Sequence, residues 1–291
     1  MATTMATLGF IKPLELYDNE KPYWLFLAKP DHRPDVELTN VQLDVITGIP
    51  LHDVRGHEDS YSLEEHGFQF IKTNQTFQAF DSEQRIIDEY LPQVEKVIRE
   101  NIPYAEKIHI YDWRIRKEAT NKDPDLVSPN QIQDRSFPLA PSSTVHTDST
   151  EYSLLKRVKA FLPGEADHLL EGRVQLINFW RPIHHVAQNW PLVVCDARTT
   201  SMDKLVAVDQ VSRQFVADVY YAKYDPDYQW YFQSLMAPDE GVLFKSWDTA
   251  ESVPARTCLH SSTPLPADSL AKDYEIRRSV ECRALVFSKK D

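Results

Sequence analysis

The 291-residue chain is poor in glycine and cysteine, with seven glycines and only Cys195, Cys258 and Cys282. An odd, scattered set of cysteines without a CxxC pair does not make a disulfide framework and indicates a reducing compartment. No run of about 18 apolar residues exists, which excludes a membrane-spanning helix, and the N-terminus lacks the basic and apolar regions of a secretory signal. We therefore expect a cytoplasmic protein.

Positive charge is also in deficit, since 32 Lys and Arg residues face 44 Asp and Glu residues and give a net charge of −12. A surface that binds nucleic acid or an anionic membrane needs the opposite sign, so we expect neither partner. The expected partner is a small-molecule substrate, and a homodimer stays open. No linker or internal repeat divides the chain, so residues 1–291 are expected to form one domain.

Strand-like alternation and aromatic residues dominate most of the chain. Short apolar segments occur within residues 1–80, at 107–117 and from 173 onward, and their period of two favours strands. Helical periodicity predicts helices over 82–101, with Pro92 as a candidate kink, and over 151–161. Many strands with two helices predict a mainly β fold, a β-sandwich or jelly-roll core with flanking α-helices.

Within the single domain, residues 1–80 are expected to be a strand-rich N-terminal extension and 143–287 the core. A polar, proline-rich segment without periodicity lies at 118–142. A loop of this length in a compact protein is typical of a lid or a binding loop. Phe137 and Leu139 are the candidate substrate contacts in it.

The segment VHTDST at 145–150 places His146 and Asp148 two residues apart. Residues i and i+2 of a strand point to the same face, so one imidazole and one carboxylate converge. They supply two ligands of a 2-His-1-carboxylate triad, which binds Fe(II) and leaves positions open for a co-substrate and O₂. His260, which ends the strand-like segment ARTCLH, is the candidate third ligand.

Other histidines are weaker candidates. His184 and His185 are adjacent, so only one of them could point inward from a strand. The remaining candidates lie in polar loops or on a predicted strand: His52, His57, His66 and His109. The HExxH motif of zinc proteases is absent from the sequence.

A basic strand near the C-terminus, IRRSVECRALVF at 276–287, carries a candidate anchor for a carboxylate. Strand geometry places Arg277, Ser279, Glu281 and Arg283 on one face. Arg277 and Ser279 together offer a guanidinium and a hydroxyl, which suit the distal carboxylate of 2-oxoglutarate. Arg283 is the alternative anchor, and Glu281 would hold whichever arginine is structural.

Three further residues are candidates for the same co-substrate site. Arg256 lies four residues before His260, on the same strand face. Asn178 and Arg181 lie in the apolar segment QLINFWRP, where a buried amide needs a hydrogen-bond partner. A purely structural role for Asn178 is equally compatible with the sequence.

Several longer strings resemble one known family, the hydroxylase/desaturase oxygenases of fungal and bacterial natural-product pathways. The family includes a gibberellin desaturase, an aspergillic-acid hydroxylase and meroterpenoid tailoring oxygenases. The matching strings are LHDVRGHEDSYSLEEHGFQF (51–70), VHTDST (145–150), GRVQLINFWRPI (172–183), WPLVVCDAR (190–198), DEGVLFKSWDT (239–249), ARTCLHSSTPLP (255–266) and RRSVECRALVF (277–287). They run in the family's order from about residue 45 to the C-terminus.

The resemblance implies a double-stranded β-helix fold, Fe(II) held by His146, Asp148 and His260, and 2-oxoglutarate with O₂ as co-substrates. The implied activity is oxidation of a small molecule, such as a terpenoid or meroterpenoid, by hydrogen abstraction, with hydroxylation, desaturation or endoperoxide formation as outcomes. Two segments depart from the family's usual pattern. HSST follows the metal histidine, and PIHHVAQNWP precedes a strand, so the substrate is expected to differ from those of near relatives.

Two other functions stay open at this point. A cupin-type metal enzyme would need no 2-oxoglutarate and would use a ligand set richer in histidine, without an anchoring arginine. A non-catalytic β-sandwich binding module would hold no metal.

Overall fold

A computed structural model describes residues 1–27, 35–119, 135, 137–213 and 215–289. The described part of the chain contains thirteen strands. They are β1 (Thr3–Ile11), β2 (Tyr23–Leu25), β3 (Leu43–Asp53), β4 (Phe68–Lys72), β5 (Lys107–Lys117), β6 (Arg173–Pro182), β7 (Leu192–Cys195), β8 (Leu205–Val211), β9 (Val216–Ala222), β10 (Trp230–Phe232), β11 (Glu240–Asp248), β12 (His260–Ser262) and β13 (Arg278–Ser288).

The strands form two five-stranded sheets and a smaller one. The first sheet has the order β1-β3-β10-β7-β12 and the second the order β4-β11-β6-β13-β5, while β2-β8-β9 form the third. Phe68 and Phe244 of the second sheet share one apolar cluster with Leu192 and Val194 of the first. The two large sheets therefore pack face to face, and the mainly β, jelly-roll architecture expected from the sequence is confirmed.

Helices pack against both faces of the second sheet. They are α1 (Leu63–His66), α2 (Glu83–Arg85), α3 (Leu91–Asn101), α4 (Glu151–Phe161) and α5 (Ala166–Leu169). Val94 and Ile98 of α3 pack on Val280 and Cys282 of β13, and the predicted helix over 151–161 is α4. None of the helices in the described ranges is long and apolar enough to cross a membrane.

The helix predicted over 82–101 is interrupted, and the reason is Pro92. Ser82 caps its start by accepting a hydrogen bond from the amide of Arg85, and a π-helical turn at Ile86–Tyr90 separates α2 from α3. Pro92 lies in the first turn of α3, where its missing N–H costs least. Within the π turn Ile86 and Tyr90 are buried, whereas the apolar side chain of Ile87 is exposed.

Within the regions expected to be strand-rich, the sequence analysis did not single out β1, β8 or β9. The segments LVAVDQV and VADVYYA do alternate apolar and polar residues, on either side of a short connecting segment. Such a pair separated by a short polar turn is typical of a hairpin, and β8 and β9 pair antiparallel. Residues 1–80 contribute β1 and β3 to the first sheet and β4 to the second. The N-terminal segment thus lies within the same sheets as the C-terminal strands.

A β-bulge in β5 decides which of its side chains face inward. The register with β13 shifts between Arg283 and Ala284, because Arg283 pairs with Asp112 and Ala284 with Ile110. Tyr111 is the extra residue, and beyond it the alternation changes phase. Ile110 therefore packs on the helical side before the bulge, and Trp113 does so after it.

Close backbone packing at Gly241 in β11 yields a stability prediction. A Cβ atom there would lie 2.6 Å from Cε2 of Phe179 and 3.0 Å from the carbonyl oxygen of Trp180. We expect Gly241→Ala to lower the free energy of unfolding by about 1–3 kcal/mol, measured by urea denaturation. In the control Gly164→Ala, the new Cβ meets no described atom within 4 Å and stability should stay within about 0.5 kcal/mol. Equal effects of the two variants would contradict this.

Candidate iron site

The segment that carries His146 and Asp148 lies between two strands and is not a regular strand itself. The backbone of His146 forms an isolated β-bridge with that of His260 on one side and with that of Tyr221 on the other. The amide of His146 donates to the carbonyl of His260 at 3.2 Å, and the amide of His260 donates back at 3.0 Å. Backbone pairing therefore fixes the distance between the two histidines. The strand β12 begins at His260, whereas the sequence placed this residue at the end of a strand.

The three predicted ligands meet at one point. One ligand atom from each of His146, Asp148 and His260 lies within 4.8 Å of the other two. Nε2 of His146 is 3.8 Å from Oδ1 of Asp148, and Nε2 of His260 is 3.7 Å from Oδ2. Two imidazole nitrogens and a carboxylate oxygen at this spacing match the donor set that non-haem Fe(II) uses.

Both imidazoles present the correct nitrogen to a metal. Nδ1 of His146 lies 2.7 Å from the carbonyl oxygen of Thr144, and Nδ1 of His260 lies 3.2 Å from that of Cys258. A carbonyl only accepts, so each Nδ1 carries the proton and each Nε2 keeps a free lone pair. Burial lowers the pKa of His146 to about 4 and also lowers the pKa of His260. Both rings are therefore neutral at pH 7, as metal ligation requires.

Asp148 is held by a bidentate arginine and by an amide. Nε and Nη2 of Arg283 donate to its two oxygens at 3.0 and 3.1 Å, and Nδ2 of Asn178 donates to Oδ2. Burial alone raises the pKa of Asp148, but Arg283 and the two imidazoles outweigh it and hold the pKa well below its usual range. The carboxylate stays ionised and its orientation is set from outside the metal site.

A narrow pocket behind the histidines contains a buried arginine. His146 and His260 line it together with Trp180, Arg277 and Glu281. Nη1 of Arg277 donates to Oγ of Ser279 at 3.2 Å, whereas Nε has no hydrogen-bond partner among the described residues. Burial, and then the charge of Arg116, lower the pKa of Arg277 to about 9, so the guanidinium is still a cation at pH 7.

A wide cavity of about 510 Å³ adjoins the narrow pocket, and Arg116, Ser142 and His146 line both. A cavity of this volume suits a small organic molecule. Aromatic side chains form part of its wall: Trp24, Phe26, Tyr111, Phe161, Phe215 and Tyr221. Leu139 also lines it, but Phe137 is not among the lining residues. Most of the segment 118–142, including the greater part of the expected lid, lies outside the described residues.

Two of the co-substrate candidates are not near the site, and the predictions for them need correction. Nε of Arg181 donates to the hydroxyl of Tyr90 at 3.0 Å, on the helical side of β6, because residues 178 and 181 lie on opposite faces of a strand. Arg256 donates to the carbonyl of Asp248 at 3.1 Å and stacks on Trp247. Both arginines contact residues of the surrounding fold and not the candidate site.

The alternative histidine ligands do not join the triad. His184 has a φ of 69° and lies 3.2 Å from Oε1 of Gln78, and His185 lies 4.0 Å from Glu275. His109 stacks against Phe161. In the ranges that the structure describes, His146, Asp148 and His260 are the group that could hold a metal ion, and it is not the histidine-rich set of the cupin alternative.

The sequence analysis missed the polar face of β5. Asp112, Arg114 and Arg116 all line the wide cavity. Their spacing of two was a usable signal, because three charged residues alternating with Trp113 and Ile115 indicate a polar cavity wall opposite a buried face. The bulge at Tyr111 hid this phase from a simple reading of KIHIYDWRIRK.

The model of the oxidoreductase/YMDC permease-like domain family matches residues 8–287. The chain belongs to this family. The hydroxylase/desaturase efuI of Hormonema carpetanum is 27% identical over 256 residues, which is 82% of this chain and 83% of that protein. The Fe(II)/2-oxoglutarate-dependent dioxygenase nvfI of Aspergillus novofumigatus is 25% identical over 246 residues, 82% of either chain.

A solved structure shares the whole fold. The iron and alpha-ketoglutarate-dependent endoperoxidase NvfI superposes with a TM-score of 0.84 at 23% identity, covering 99% of both chains. The fold and the family that the sequence resemblance implied are confirmed, and with them the assignment of the chain as an oxidoreductase. This assignment excludes the non-catalytic binding module.

The depressed histidine pKa predicts how the metal-free protein responds to acid. The unfolded chain takes up the His146 proton near pH 6.5, whereas the folded chain does so only near pH 4. Stability from this site is therefore present above pH 6.5 and lost as pH falls towards 4, by on the order of 2–3 kcal/mol. Urea unfolding across this range should show a flatter pH dependence for His146→Gln, and no change for exposed His168→Gln. Identical slopes for His146→Gln and wild type would contradict the expectation.

Proposed function

We propose that this chain is an Fe(II)- and 2-oxoglutarate-dependent oxygenase in which His146, Asp148 and His260 hold the iron. The observation that carries the proposal is the convergence of two imidazole Nε2 atoms and one ionised carboxylate. The buried guanidinium of Arg277 lies in the pocket beside them. Bound iron, with 2-oxoglutarate and O₂, would supply the oxidising chemistry for which amino-acid side chains have no substitute.

Arg277 and Ser279 are proposed to bind the distal carboxylate of 2-oxoglutarate. The narrow pocket that Arg277 lines is the one that both histidines line, so the guanidinium and the candidate iron ligands face the same space. The guanidinium is almost fully buried and stacks on Trp180. Its unpaired Nε supports a ligand role, because a buried donor without an acceptor costs about 1–3 kcal/mol.

Arg283, the alternative anchor, is assigned a different role. Its guanidinium is already bonded to Asp148, Asp112 and Glu281. It therefore acts as a positioning residue for the carboxylate ligand, together with Asn178. Glu281 contacts both Arg283 and Arg116 and keeps these cations in place next to the site.

The wide cavity is proposed to hold the substrate, a small molecule of terpenoid or meroterpenoid type, with Leu139 and the aromatic wall in contact with it. The relatives named as hydroxylase/desaturase, dioxygenase and endoperoxidase support hydroxylation, desaturation or endoperoxide formation as outcomes. We further infer a cytoplasmic enzyme in which residues 1–291 act as one domain, without a nucleic-acid partner. A homodimer is compatible with the proposal.

The ligand assignment predicts the effect of three substitutions. His146→Ala, Asp148→Ala and His260→Ala should each abolish 2-oxoglutarate turnover and bound iron while circular dichroism stays native, because three ligands are the minimum for this metal site. Iron content after anaerobic reconstitution and succinate formation are the measurements. His185→Ala, on an exposed ring, is the matched control. Full activity in His260→Ala would reject the assignment and direct the test to His184 and His185.

The anchor assignment predicts a split between two affinities. Arg277→Ala should weaken 2-oxoglutarate binding about ten- to hundredfold, since a charge-assisted hydrogen bond is lost, and should leave iron binding intact. Arg283→Ala should weaken iron binding first, because it releases Asp148. Equilibrium dialysis of both ligands measures this, with Arg256→Ala as control. Normal 2-oxoglutarate binding by Arg277→Ala, with loss in Arg283→Ala at saturating iron, would reverse the two roles.

A further inference from the structure

The wide cavity is strongly cationic in a chain of net charge −12. Among the described residues that line it, five guanidinium groups face two carboxylates, Asp112 and Asp148. The arginines are Arg114, Arg116, Arg135, Arg157 and Arg283. Glu281 adds one negative charge next to Arg283 and Arg116. An excess of positive charge therefore faces the space next to the iron ligands.

Four of these arginines donate side-chain hydrogen bonds to neighbouring groups of the protein. Arg283 is bidentate to Asp148, and Arg157 donates to Oγ of Ser149 at 2.9 Å. Arg116 donates to the carbonyl of Ala140 at 2.9 Å, and Arg135 donates to that of Tyr111 at 3.4 Å. These contacts fix the four side chains as parts of the cavity wall.

Arg114 is the exception. Its nearest acid, Asp112, lies 3.8 Å from Nε and is already shared with Arg283 at 2.9 Å and Arg135 at 3.3 Å. Nη1 of Arg114 is buried without a hydrogen-bond partner among the residues that the structure describes. Burial lowers the pKa of Arg114. The charges of Arg283, Arg135 and Arg116 lower it further, whereas the charge of Asp112 raises it. Among the described residues, Arg114 thus has one long ion pair, to Asp112, and a buried Nη1 with no acceptor.

Apolar surface lies in the same cavity. Trp24 and Phe26 stack with ring centroids 6.2 Å apart, and Phe161 and Phe215 also line the space. A ligand that satisfies both features has an anionic end and a hydrophobic body. A guanidinium fork binds a planar carboxylate with two parallel hydrogen bonds.

We propose that the substrate is an organic acid whose carboxylate binds Arg114 and whose apolar body packs on the aromatic wall. This inference rests on the proposed function for the position of the oxidised carbon, but the carboxylate site itself consists only of side chains of this chain. It is separate from the anchor for 2-oxoglutarate, which is Arg277 in the narrow pocket. Arg114 selects acids over neutral analogues, and Asp112 beside it favours one negative charge over two.

The test uses carboxylic acids paired with their methyl esters, dehydroabietate and 4-phenylbutyrate being the acid members. Binding is measured by quenching of tryptophan fluorescence, with Trp24 as the local reporter, in protein with and without Fe(II) and 2-oxoglutarate under anaerobic conditions. An acid preference in the iron-free protein separates this inference from the iron assignment, because failure of iron binding leaves it unchanged.

At least one acid is expected to bind tenfold or more tightly than its ester. Arg114→Gln should remove about tenfold or more of the affinity for the acid and leave that for the ester unchanged. Arg114→Lys should lie between, because it keeps the charge but loses the fork, and it serves as the test if Arg114→Gln does not fold. Arg85→Gln, which loses an exposed arginine that pairs with Glu89 and is not among the residues lining the cavity, should match the wild type.

Three results would overturn the proposal. They are equal affinities for acid and ester, no binding of either member of any pair, and an acid affinity that Arg114→Gln does not change. A fourth outcome also overturns it. If Arg114→Gln weakens 2-oxoglutarate binding as much as acid binding, Arg114 belongs to the co-substrate site and the wide cavity does not select acids.

Discussion

The buried pairing of Arg283 with Asp148 is the interaction on which the rest of the site depends. It joins β13 to the irregular segment that carries two of the proposed metal ligands, and through Asp112 it reaches β5 as well. Breaking such a pair by removing one partner typically costs about 3–5 kcal/mol, because the other charge stays buried and uncompensated. Without Arg283 the carboxylate would keep the amide of Asn178 but lose its bidentate partner and the charge that lowers its pKa most. Arg283 therefore supports both the proposed metal site and the contact between β13 and β5.

Strand β13 meets this constraint by separating its two faces. Ser279, Glu281 and Arg283 face the site, as does Arg277 just before the strand, whereas Val280, Cys282 and Ala284 pack under the helices in the apolar core. Rotamers on the polar face are held by a strand that cannot shift without breaking that core, and this is the rigid support that a functional site needs. Asn178 on β6 continues the same polar face, because its amide bonds to both Asp148 and Glu281.

The sequence singled out the candidate ligands and predicted the strands around them, because both follow from local rules. A spacing of two brought His146 and Asp148 together, and alternation assigned β6, β11 and β13. What it could not supply was the partner of each arginine. Arg181, Arg277 and Arg283 all look alike in an alternating strand, and only the fold shows that Arg181 contacts Tyr90, Arg277 lines the narrow pocket and Arg283 binds Asp148. The π turn before Pro92 and the bulge at Tyr111 shifted two other faces in a way that simple periodicity does not register.

The bulge at Tyr111 also determines which kinds of genetic change this cavity can survive. Its phase shift is counted in residues, so a substitution anywhere in the first half of β5 leaves Arg114 and Arg116 pointing inward. Deleting one residue there would remove the extra position and turn either the two arginines or Ile108 and Ile110 towards the wrong layer. Substrate preference can therefore drift through side-chain replacement along this strand, whereas its length is fixed.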